Sequence, residues 1–218
     1  MKIAIVGSGN IGAGLARPWA KDHEVTFAAR DPNDAELVAL AKSIGAKVAT
    51  IADAVRNADV VALAMPYGAL TDVIAAGGDW KGKTVIDCTN AVERGPAGMT
   101  LKYGHTTSSA EELAKTIPGA HVVKSFNAQG AENLANPVYG GVAASNFFCG
   151  DDAGAKAKVK SLIEAIGFEA VDVGPLSSAR LVEPAMLLWM MSSLRASPYM
   201  RVAICDSVSP GRTMWMKP

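Results

Sequence analysis

The sequence is sparing with the residue types that mark several common functions. Lys plus Arg and Asp plus Glu number 21 each over 218 residues, so no net charge draws the chain to nucleic acid or to an anionic membrane. Cysteine is scarce: Cys88, Cys149 and Cys205 make an odd number, widely spaced and with no CxxC pair. This pattern offers neither a disulfide framework nor a metal site. Within VIDC and FFC the first two read as buried free thiols. Histidine is equally thin, and His23, His105 and His121 have no second ligand at a helical spacing. No metal ligand is therefore expected. The longest late apolar run, Pro184 to Met191, is far short of the ~20 residues a membrane span needs. Lys2 to Val6 already reads as a first strand, which leaves no room for a targeting segment, and the expected location is the cytoplasm.

What is abundant is apolar and small. Half of the residues are hydrophobic and 21 are glycine, a mix that suits tightly packed strands and helices. KIAIVG reads as a strand, Asn10 to Lys21 as a helix, EVTFAA as a second strand, and Asp34 to Ile44 as a helix stopped by Gly45. AKVAT, ADVVALAMP and KTVIDCTN supply three more strands, separated by helices over Ile51 to Asn57 and Leu70 to Ala76. This alternation predicts a Rossmann-type doubly wound α/β fold with a parallel sheet.

A Gly-, Thr- and Pro-containing stretch from Val92 to Thr107 interrupts the rhythm, and Ser108 to Glu111 then has capping-box spacing ahead of a helix. HVVKSFNA is a sixth strand and Gly130 to Ala144 a second irregular stretch. SNFFCG, a helix over Asp152 to Ile166, EAVDVG and an apolar helix over Ser178 to Leu194 complete the pattern. The predicted division is a nucleotide-binding domain over 1–125 and a small C-terminal α/β region over 126–218. The tail from Ala196 carries three prolines and no period, and with the apolar last helix it suggests a homodimer.

The strongest functional signal is Gly7-Ser8-Gly9-Asn10-Ile11-Gly12. GxGxxG alone is weak, but here it follows a strand, opens a helix and precedes a second strand. Gly7 then allows a tight turn, Gly9 a close approach to a pyrophosphate, and Gly12 close packing of helix on strand. The helix N-terminus faces the phosphates. An NAD site would place Asp or Glu at the end of the second strand; this strand ends in Ala28-Ala29-Arg30. Ala29 leaves space and Arg30 can fork onto a 2′-phosphate, which favours NADP, although Asp31 would repel that phosphate if it pointed the same way. Met65-Pro66, Thr89-Asn90 and Asn127 close the ends of the fourth, fifth and sixth strands, where ligands of such sheets bind. Each Asn could equally be a turn residue bonded to its own backbone.

On these residues the chain resembles the NADPH-dependent reductases of the deazaflavin coenzyme F420. The likeness runs from residue 1 to about 194, through IVGSGNIG, AAR followed by Asp31-Pro32, AMP, DCTN, KSFNAQGAENL, FFCGDD and ARLVEP. The resemblance implies an NADP domain, a small C-terminal region, and a second cofactor stacked in the cleft between them. Hydride would pass from the nicotinamide to the deazaflavin or a flavin. It puts Ser8, Asn10, Ile11 and Arg30 at NADP and Met65, Pro66 and Asn90 at the nicotinamide. Where the family often has Ser before the arginine and a further basic residue after it, this chain has Ala29 and Asp34, which weakens the 2′-phosphate case.

Hydride transfer between two rings needs stacking, dryness and orientation more than a protein acid or base, so no catalytic residue is assigned. Lys124 and His105 are the titratable residues nearest the predicted crevice, and Glu183 reads as structural. Two other readings stay open: a reductase of a small imine or carbonyl compound, and a sensor that binds NADP(H) without turnover.

Overall fold

The computed structural model describes residues 1–95 and 98–195; the tail from Ala196, with Cys205, lies outside them. The chain runs β1 (Lys2–Val6), α1 (Asn10–Trp19), β2 (Glu24–Ala29), α2 (Ala35–Ile44), β3 (Lys47–Thr50), α3 (Ile51–Asn57), β4 (Val60–Leu63), α4 (Leu70–Gly77) and β5 (Thr84–Asp87). It continues through β6 (Val92–Gly95), β7 (Gly98–Leu101), α5 (Ser109–Thr116), β8 (His121–Ser125), β9 (Val138–Tyr139) and β10 (Val142–Ala143). Last come β11 (Ser145–Gly150), α6 (Ala153–Ile166), β12 (Glu169–Asp172) and α7 (Ala179–Arg195).

Eight strands form one sheet in the order β12-β11-β8-β5-β4-β1-β2-β3. Every neighbouring pair is parallel except β8 with β11. The exception has a local cause. Between β8 and β11 the chain holds only a short 3-10 turn at Ala131–Leu134 and the β9–β10 hairpin, so no crossover helix returns it to the starting edge. β11 and β12 thus extend the same sheet past Phe126.

Side chains alternate across the pleat, and the alternation sorts the core into two layers. Ile3 and Ile5 of β1 face α1, α2 and α6 through Leu15, Trp19, Ala41, Val159 and Leu162. Ala4 and Val6 of the same strand face α3, α4, α5 and α7 through Val55, Val73, Leu113 and Val182. All four residues of β4 and of β5 are buried, as strands covered on both faces require: β4 is an unbroken apolar run, and β5 carries Val85 and Ile86 between the buried Thr84 and Asp87. Across one layer the Trp19 indole N–H donates to the Leu162 carbonyl at 2.9 Å, tying α1 to α6.

Local signals act where the sequence places them. Asp34 caps α2 through the Leu37 amide, Ser108 caps α5 through that of Glu111, and Asp152 caps α6 through that of Ala155. The two stretches read as irregular each contain a hairpin, β6–β7 and β9–β10. Strands of two to four residues, mostly exposed, carry too little period to be seen in a sequence.

Candidate functional site

Glycine geometry builds the first wall of the site. Gly7 turns the chain out of β1 at φ 103°, and a Cβ there would lie 2.4 Å from the Ala64 carbonyl oxygen. A Cβ on Gly12 would lie 1.9 Å from the Gly7 carbonyl oxygen, so α1 sits as close to the turn as a glycine permits. Gly9 is different, because nothing lies within 4 Å of its Cβ position. Its bareness serves no internal packing and leaves the backbone open from outside. Gly9 also caps α1 with no side-chain hydrogen bond, and the first turn carries no acid. α2, α3, α5 and α6 all have side-chain caps. The first amides of α1 are left as donors with a positive dipole end behind them, the arrangement that receives phosphate.

From this turn a cleft of about 290 Å³ runs along the carboxyl ends of β4 and β5. Gly9, Asn10 and Ile11 form one side, Met65, Pro66 and Tyr67 another, and Cys88, Thr89 and Asn90 the third. None of these side chains carries a charge at neutral pH. Burial pushes the Cys88 thiol far above its usual range, with the Asp87 carboxylate adding to the effect, so it does not serve as a thiolate.

Tyr67, which sequence reading passed over, is anchored from outside the cleft. Its phenol donates to that of Tyr103 at 3.1 Å, the rings meet edge to face, and the Lys102 ammonium lies 5.5 Å from each centroid. Burial and the Tyr103 hydrogen bond both hold the Tyr67 phenol in its protonated form. The only sequence signal for Tyr67 is its place directly after Met65-Pro66.

The two asparagines meet. The Asn90 amide donates to the Asn127 backbone carbonyl at 3.1 Å, and the Asn127 amide donates to Asn90 Oδ1 at 3.3 Å. Asn127 is 4% exposed, and its Oδ1 accepts no hydrogen bond among the described residues. The turn that delivers it is strained: Phe126 has φ 60°, the one non-glycine positive φ among the described residues. For a bulky residue that conformation costs ~1–3 kcal/mol. Its ring is held against Trp19, edge to face at 5.8 Å.

Arg30, at the end of β2, is exposed and among the described residues is paired with Asp72 of α4, at 3.7 Å. The two acids beside it are engaged with backbone. Asp31 accepts from the Asn33 amide at 2.9 Å and Asp34 caps α2, so neither is paired with the guanidinium. Ala29 is half-buried and Ser8 exposed. His105 is exposed at the surface.

Lys124 lies elsewhere than the sequence suggested, whereas Glu183 is structural, as read. Lys124 is 0% exposed, beneath the cleft floor rather than in it, and joins Asp87 at 2.9 Å and Glu183 at 3.2 Å, both themselves buried. Burial alone would lower its pKa, but the two carboxylates outweigh burial and hold the ammonium protonated above the usual lysine range. Glu183 lies inside α7 and accepts from the amides of Ser109 and Ala110 at the start of α5. Among the described residues no group of His, Cys, Asp and Glu is arranged to hold a metal ion, and no helix is long and apolar enough to cross a membrane.

Comparison with known proteins agrees with this geometry. Residues 2–91 match the family model described as NADP oxidoreductase coenzyme F420-dependent. A crystal structure from Arthrobacter sp. FB24, whose name assigns it to the F420-dependent NADP-reductases, is 30% identical, with TM-score 0.81 over 88% of this chain and 93% of its own. The rat metalloreductase STEAP3 is 32% identical over 201 residues, 89% of this chain; the chain spans only 39% of that relative's length. A reductive aminase of Aspergillus terreus, solved with NADPH and ethyl levulinate, shares the fold at 23% identity and TM-score 0.65 over 88% of this chain and 62% of its own. With the Arthrobacter likeness spanning nearly all of both chains, and the glycine turn, cleft and strand order in place, this chain belongs to the coenzyme F420-dependent NADP oxidoreductase family.

Proposed function

We propose that the protein transfers a hydride between NADP(H) and a planar acceptor, a deazaflavin or a flavin, laid against the nicotinamide in the cleft beyond β4 and β5. The observation that carries this reading is the cleft's lack of charged side chains beside a phosphate-type turn. The dinucleotide supplies the hydride chemistry; the protein supplies place, orientation and dryness.

The residues fit that division. Gly9 and the uncapped amides of Asn10 and Ile11 would receive the pyrophosphate, and Gly7 and Gly12 hold the turn in shape. Ser8 would contribute at the same turn. Arg30, with Ala29 beside it, would take the 2′-phosphate in place of Asp72. Met65 and Pro66 would flank the nicotinamide, and Asn90 and Asn127 would orient its carboxamide. The unpartnered Oδ1 of Asn127 is an acceptor suited to an amide N–H. The Tyr67–Tyr103 pair would wall the acceptor side, and the region after Phe126 would complete it.

The test is loss of NADPH absorbance with purified protein and the deazaflavin coenzyme, FMN or FAD, against a blank. Rapid oxidation with one planar acceptor supports the proposal. NADPH binding without oxidation by any of the three overturns it and leaves a different substrate or a sensor.

A further inference from the structure

Beneath the cleft floor, Thr89 is held by three of its polar atoms. Its N–H and its hydroxyl both donate to Asp87 Oδ1, at 2.9 and 2.7 Å, and its carbonyl accepts from the Lys124 ammonium at 2.7 Å. The same ammonium donates to Asp87 Oδ2 at 2.9 Å and to the Ser109 hydroxyl at 3.2 Å. Beyond it stands Glu183, whose Oε1 also accepts from that hydroxyl at 2.7 Å. Lys124, Asp87, Thr89, Ser109 and Glu183 are each no more than 3% exposed.

One buried cation therefore connects β8, β5, α5 and α7, and its shortest bond goes to none of the carboxylates but to the backbone of the turn after β5. That turn presents Asn90, which pairs with Asn127. A brace of this kind is stiff, because breaking any one bond leaves a charge or a carbonyl unsatisfied in a dry site. A hydrophobic side chain could fill the volume of Lys124, but it would not fix the Thr89 carbonyl.

We infer that Lys124 is a positioning residue for the nicotinamide half of the dinucleotide: through Thr89 it sets the place of Asn90, and through Asn90 that of Asn127. The inference rests on the cleft holding NADP(H), as proposed above. It touches no reacting atom. Glu183 joins the same brace from α7, so the last described helix is tied to the cleft floor through one salt-bridged lysine.

The experiment compares the binding of NADP⁺ with that of adenosine 2′,5′-bisphosphate, which lacks the nicotinamide half. The Lys124→Met/Asp87→Asn variant removes one charge of each sign and leaves Glu183 with its Ser109 and Ala110 donors. In the folded variant, NADP⁺ is expected to bind about tenfold more weakly while the bisphosphate binds as before, the scale of one lost hydrogen bond to a charged group. Affinity unchanged from the parent for both ligands, with only a lower melting temperature, assigns the brace to stability and overturns the inference. A parallel loss for both ligands means general loosening and overturns it too. If the double variant does not fold, Thr89→Val loosens the turn at nearly constant volume by removing its hydroxyl bond to Asp87 Oδ1 while the Lys124 bond to the Thr89 carbonyl stays, and the same three outcomes decide whether the brace positions the nicotinamide half. Failure of the unaltered protein to bind either ligand would strike the cofactor reading itself, a result separate from the others.

Discussion

Arg30 and Asp72 face each other across the gap between the end of β2 and the first turn of α4, 3.7 Å apart, with side chains 70% and 77% exposed. A pair so wet is worth little to the fold, ~0–1 kcal/mol. It does keep the guanidinium at the carboxyl end of β2, the edge from which the proposed 2′-phosphate contact would be made.

Arg30→Ala is accordingly expected to weaken NADPH about 10- to 100-fold, on the scale of a lost charge-assisted hydrogen bond, and to leave NADH nearly unchanged. Titration of both nucleotides by fluorescence decides it; equal loss for the two removes Arg30 from the 2′-phosphate.

Asp72→Asn should act in the opposite direction. With its carboxylate partner gone, Arg30 meets the phosphate without competition, and NADPH is expected to bind a fewfold more tightly at low salt. The gain should fade as ionic strength rises, and the melting temperature should scarcely move.

Gly9 and Gly12 are predicted to fail in different ways. Gly9 has extended backbone at φ −69° and ψ −168° with open space around its Cβ position, so Gly9→Leu should fold and melt near the parent while losing the dinucleotide. Gly12→Ala drives a methyl to 1.9 Å from the Gly7 carbonyl oxygen and should lower the melting temperature, at a cost of ~1–3 kcal/mol or more. Thermal melts with and without NADPH separate the two.

Acid should loosen the joint between α5 and α7. The Arg180 guanidinium donates to both Glu111 oxygens, at 2.9 and 2.6 Å, and with Ser108 it holds the Glu111 carboxyl below its usual range. A carboxyl with a lowered folded pKa adds stability above its unfolded value, ~4.3, and loses it as pH falls through the folded one. Glu111→Gln should therefore melt lower than the parent at pH 7, and the difference should narrow steadily as pH falls below the unfolded value of ~4.3. A gap that stays constant as the pH is lowered would mean the pair contributes by packing instead.

Much of the fold is legible in the sequence. The βαβ alternation, the glycine turn and the cap at Ser108 are local, and the short-range physics of turns and helix ends writes them into adjacent residues. The places of Arg30 and Met65-Pro66 just beyond β2 and β4 follow because strand ends can be counted from that frame. The brace was not legible: Lys124 lies 37 residues from Asp87, Ser109 lies 74 from Glu183, and no periodicity links them. Nor could the positive φ of Phe126 be read, since the residue itself disfavours it and only the packing on Trp19 holds it there. Tyr67 and Tyr103 likewise belong to segments whose pairing depends on the small β6–β7 hairpin.

The buried middle of the sheet has a kinetic consequence. β4 and β5 have no exposed residue, whereas β3 and β12 at the two edges have no buried one. Amide hydrogens should therefore exchange first at the edges and last in the centre, where only global opening reaches them. The cleft hangs from the ends of those slowest strands. A nucleotide can then enter and leave a frame that stays closed, and its binding should slow exchange in the glycine turn and the Thr89–Asn90 turn far more than in the strands beneath.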